Sequence, residues 1–192
     1  MRSGCTAWVL FGLVFCTTAS ADDGPLDRLI ASEGGSVCFS RQYDAAHLKR
    51  HPGQATRAVM LSFKADAVRF MLDQKGHKEP LYIVAGCEWN PRANRDTGGN
   101  RLLPSFTKTA AYDCIVIVAP SSAEEGGYAI LDPAPDGKSL MLHIDTPVSV
   151  RPGLGPDARP FPLTLGRQDR VFRLDRADRT ACKAMEDRLE GP

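Results

Sequence analysis

The sequence lacks the short motifs by which chemistry is most often recognised. It has no C-x-x-C, so neither a thioredoxin-like redox site nor a zinc knuckle is supported. It has no G-x-S-x-G, no P-loop, no dinucleotide-binding glycine fingerprint and no catalytic cysteine signature. No motif calls for a cofactor. An excess of either charge is lacking too, with 24 basic residues against 23 acidic ones. No global field therefore steers the chain toward nucleic acid or an anionic membrane.

Long apolar runs are absent with one exception, at the N-terminus. Arg2 provides a positive start, Ala7 to Thr17 an apolar stretch, and Ala19-Ser20-Ala21 an A-x-A cleavage signal. The run falls short of the roughly twenty apolar residues that cross a bilayer. It therefore reads as a signal peptide over residues 1–21, cleaved after Ala21, with no membrane insertion afterwards. Residues 22–192 are expected to form one mainly β domain, periplasmic or secreted. Cleavage would remove Arg2 and leave 23 charges of each sign.

Cysteine is scarce once the leader is set aside. Cys5 and Cys16 fall within it, leaving Cys38, Cys87, Cys114 and Cys182. An even count in an oxidising compartment predicts disulfides, and four cysteines allow three connectivities. Cys87 with Cys114 is the preferred pairing because both lie on apolar strand candidates. Cys38 with Cys182 would then tie the first strand to a C-terminal helix.

Period-two alternation dominates the rest, which is a strand signature. Predicted strands cover 37–43, 57–64, 68–72, 81–87, 112–118, 127–131, 139–144 and 170–175, with 147–151 as an edge. The 81–87 run reads as buried on both faces. A short helix near 45–50 is capped by Asp44, and a C-terminal helix over 179–189 by Asp178. The expected fold is an antiparallel β-barrel or β-sandwich of about eight strands, with a mixed α+β sheet as the alternative. Segments 90–110 and 152–162 read as loops.

Two constellations could carry function. Asp44, His47 and His51 sit at helical spacing, with the histidines four apart, as a metal site on one helical face requires. A capped turn whose histidines pack or face water gives the same pattern. Trp89 is the one tryptophan outside the leader, and it precedes a long segment carrying Arg92, Arg95 and Arg101. Aromatic and arginine side chains anchor interfaces, and loops on a rigid β scaffold commonly carry recognition. The competing reading is that Trp89 caps the core and the arginines only solubilise the loop. On balance the sequence predicts an exported binding protein for a protein or small-molecule partner. A metal-dependent or hydrolytic enzyme using Asp44, His47 and His51, and a structural envelope protein, are the alternatives.

Overall fold

The computed structural model describes residues 23–65, 67–93, 106, 108–118, 125–153 and 158–190. The leader assigned to residues 1–21 lies outside them. Ten strands form an antiparallel sheet: β1 (Val37–Gln42), β2 (Thr56–Lys64), β3 (Ala67–Gln74), β4 (Leu81–Asn90), β5 (Ala111–Ile117), β6 (Glu125–Pro133), β7 (Ser139–Ile144), β8 (Val148–Pro152), β9 (Phe161–Leu163) and β10 (Val171–Ala177). Three helices accompany them among the described residues: α1 (Pro25–Glu33), α2 (Ala45–Arg50) and α3 (Arg179–Glu190).

Strands β1 to β7 run as a meander, each paired with the next. An up-and-down meander leaves β1 and β7 pointing the same way, and β10 fits between them, antiparallel to both. Eight strands therefore close a barrel. At this strand number the interior is just wide enough for side chains to fill it, and here they do. Phe39, Leu61, Phe63, Phe70, Leu72, Leu131, Leu142, Phe172 and Leu174 are all fully buried in one cluster. The residues between them, such as Ser40, Met60, Arg69 and Arg173, occupy the outer face, as the period of two requires.

The outer wall is covered unevenly. Helix α3 lies across it, with Cys182 and Met185 against Cys38, Tyr82, Met60 and Met71. This corrects the expectation that β4 is buried on both faces. Only Tyr82 on its outer side is covered, while Val84 and Gly86 stay partly exposed. Ala93 and Phe106, within the segment read as loop, pack with Ala111 and Ile130 into a second small cluster. The segment's start is therefore strand and its end is anchored. Likewise the 152–162 stretch begins at the last residue of β8 and ends in β9, which pair as a flap.

Cys38 is bonded to Cys182 and Cys87 to Cys114. Cys87 and Cys114 are direct cross-strand neighbours of β4 and β5 with side chains in the barrel core. The other bond ties α3 to β1.

Candidate binding site

The two ends of the barrel are finished differently. At the end where β1 starts and β4 stops, helix α1 forms a lid. Its signals are local: Pro25 at the first helical position, Leu26, Leu29 and Ile30 on one face, and Gly34 as C-cap at φ 79°, its N–H on the Ile30 carbonyl at 3.1 Å. Sequence reading passed over this helix although its punctuation was complete. Leu26 enters the core with no exposed surface, which is worth roughly 1.5–3 kcal/mol.

Tyr112 of β5 locks the lid. Its hydroxyl accepts the amides of Leu26 at 2.9 Å and Asp27 at 3.2 Å and donates to Asp27 Oδ2 at 2.8 Å. The same carboxylate oxygen accepts the Gly24 amide at 2.9 Å. A Cβ on Gly24 would stand 2.1 Å from the Tyr112 hydroxyl, so only glycine lets the phenol reach the helix terminus. Burial, and next the hydrogen bond to Asp27, push the Tyr112 phenol well above its ordinary range. It stays protonated and serves as a fixed structural donor.

Beside the lid opens a groove of about 560 Å³, walled by Trp89, Pro25, Pro133 and Pro135, with Arg28, Lys108 and Asp132 among its polar groups. Trp89 is partly buried. It rests on the core with its ring tilted against Tyr112 at 5.1 Å between centroids, and its indole N–H makes no hydrogen bond among the described residues. Lys108 reaches the buried Asp132 carboxylate at 2.8 Å and 3.0 Å while remaining largely in solvent. Arg28 is exposed, and its guanidinium bonds to the backbone carbonyl of Asp23.

Just outside the groove, His143 sits buried on the outer face of β7 under the edge of the Phe106 ring, at 5.7 Å between centroids. Desolvation lowers its pKa below 6.5, against the nearby Asp132, which raises it, and with a smaller lowering by Lys108. The fold thus favours the neutral imidazole. Its contribution to stability is complete above the unfolded-state pKa near 6.5 and is lost as pH falls from there through the lower folded-state value. Thermal melts from pH 7 down to pH 5 should show a falling Tm whose slope is shallower in His143→Gln. Parallel slopes in the two proteins would contradict this.

The sequence-predicted residues fall at different places. Arg92 is exposed in the turn after β4, where its amide donates to Asn90 Oδ1 at 2.8 Å. Arg95 and Arg101 lie outside the described residues. Asp44, His47 and His51 sit at the opposite end of the barrel from Trp89, beyond the last residue of β1. Asp44 spends its carboxylate on the amide of His47 at 2.6 Å as an N-cap. His47 Nε2 meets Gln54 Oε1 at 3.0 Å. The rings of Tyr43, His47 and His51 stack, His47 and His51 at 4.4 Å between centroids. Among the described residues no group of three or more His, Cys, Asp or Glu side chains is arranged to hold a metal ion.

Sequence reasoning singled out Trp89 but not Arg28, Lys108, Asp132 or Tyr112. Their only linear signals were a Pro-rich turn around Asp132 and a helix start at Gly24-Pro25. Their convergence is a product of barrel closure. No family model, no curated protein and no solved structure matches the chain.

Proposed function

We propose that this is an exported binding protein, acting in the periplasm or outside the cell, which recognises a protein partner or small ligand at the Trp89 end of its barrel and catalyses nothing. The observation that carries the reading is the open groove beside α1, in which a partly buried tryptophan presents an apolar wall. Such a residue at a rigid rim is the kind of anchor that dominates interface energy. The filled interior supports a site at the rim over one inside the barrel. Two disulfides are compatible with an oxidising compartment, and the leader-like N-terminus gives the route there.

Expressed with its leader, the chain recovered outside the cytoplasm should begin at Asp22 by mass. Trp89→Ala, or deletion of residues 94–100, should then remove a captured partner while the far-UV spectrum and Tm stay close to those of the parent. Unchanged partner capture by both variants overturns the reading.

A further inference from the structure

The groove at Trp89 does not end at the lid. Past Pro25 and Arg28 it continues into a depression of about 270 Å³ between α1, at Leu29 and Ser32, and the β6–β7 turn, at Asp136 and Gly137. Pro25, Arg28 and Pro135 line both spaces. Through these shared residues the two spaces adjoin along the helix as one channel-like surface. Gly137 keeps the far part open in a specific way: its φ of 68° makes the turn, and a Cβ there would come within 2.8 Å of Leu29.

The walls decide what fits. Trp89, Leu29 and the three prolines give the channel its apolar faces, and Arg28, Ser32, Lys108, Thr109, Asp132 and Asp136 supply its polar groups. It suits alternating apolar side chains on an extended backbone. Charge narrows the choice. Asp132 is paired with Lys108, while Asp136, exposed in the turn, accepts the Lys138 amide at Oδ1 at 3.0 Å and keeps its charge. Arg28, where the two spaces meet, has no carboxylate partner among the described residues. Arg28 keeps unused donors between the apolar faces of Trp89 and Leu29, where it matches one carboxylate.

We infer that the channel from Trp89 past Arg28 to Gly137 binds an extended peptide segment of another protein, with an Asp or Glu side chain over Arg28 and apolar residues on either side. The inference rests on the binding reading above and specifies its ligand. Rigid contact with α1 makes the peptide's register depend on that one charge.

The test is selection of displayed short random peptides on the full disulfide-bonded chain, in parallel with Arg28→Glu. Residue 28 lies on the exposed face in the first turns of α1, where a glutamate also suits the helix dipole, and matching melting curves confirm an intact variant. The expected result is enrichment of an acidic residue between apolar ones on the parent, replaced by Lys or Arg at that position on Arg28→Glu. The best parent peptide, made synthetically with a fluorophore, should bind the variant about tenfold or more weakly by polarisation. Peptides that bind both proteins equally, or no enrichment while Trp89-dependent partner capture persists, overturn the peptide inference and leave the binding reading standing. No enrichment together with Trp89-independent capture overturns both.

Discussion

Serine at both Cys38 and Cys182 should lower unfolding stability by about 5 kcal/mol, the chain-entropy estimate for so long a closed loop. The two residues are 144 apart in sequence. The dependence is sharpened by how little of α3 the barrel covers. Cys182 and Met185 are buried, whereas Arg179, Thr180, Ala181, Lys183, Ala184 and Asp187 are exposed. An isolated helix of this length is marginal in water, so the covalent tie supplies much of what keeps it docked. In urea titrations the double variant should show a much lower midpoint. In hydrogen exchange the α3 amides should lose protection before those of the strands. Serine at Cys87 and Cys114, which closes a loop of only 27 residues, should cost about 3.5 kcal/mol, because the shorter loop restricts the unfolded chain less. Equal midpoints for the two double variants would contradict this ranking.

Asp169→Ala should cost about 3 kcal/mol, a large effect for a single residue outside the candidate groove. The residue ends the 3-10 turn at Arg167–Asp169 and is almost wholly buried. Its two carboxylate oxygens accept the amides of Ala55 and Thr56, each at 2.8 Å. Truncation leaves both donors without a partner at the start of β2. The damage would spread, because Thr56 also accepts Gln74 Nε2 at its hydroxyl and Gln54 Nε2 at its carbonyl, both at 2.9 Å. This polar network closes the barrel end opposite Trp89. Asp169→Asn, which keeps one acceptor oxygen, should fall between the parent and the alanine variant in chemical denaturation. A loss below about 1 kcal/mol for the alanine variant would mean that water replaces the carboxylate there.

The barrel was legible in the sequence because a filled interior imposes a period of two on every strand. Val59-Leu61-Phe63, Leu140-Leu142-Ile144 and Phe172-Leu174 each point inward as that alternation requires. The pairing of strands was less legible, since β10 enters between β7 and β1 and no local signal marks a neighbour so distant in sequence. Helix α1 was written in its punctuation, Gly24-Pro25 and Gly34, yet it is short and buries mainly Leu26, so its apolar stripe is thin. At the site, Trp89 stood out by its singularity. Arg28, Lys108 and Asp132 did not, because an arginine on a helix and a lysine in a polar stretch acquire meaning only when closure sets them around one groove. Phe106 and Asp169 were hidden for a related reason. One is an apolar anchor inside a polar segment, the other a carboxylate inside a charged one, and burial alone separates each from its neighbours.

The position of β10 carries a consequence for synthesis. Chains emerge from β1 onward, and seven strands can pair as they appear. Until residue 177 is available the ring has two unsatisfied margins, β1 and β7, with open backbone donors and acceptors facing the gap. Closure therefore waits for the strand made last, and the Cys38 thiol waits with it for Cys182, just beyond. A nascent chain short of β10 is an open sheet whose rims invite other strands. The last strand and the bond that follows it convert an aggregation-prone intermediate into a ring without edges.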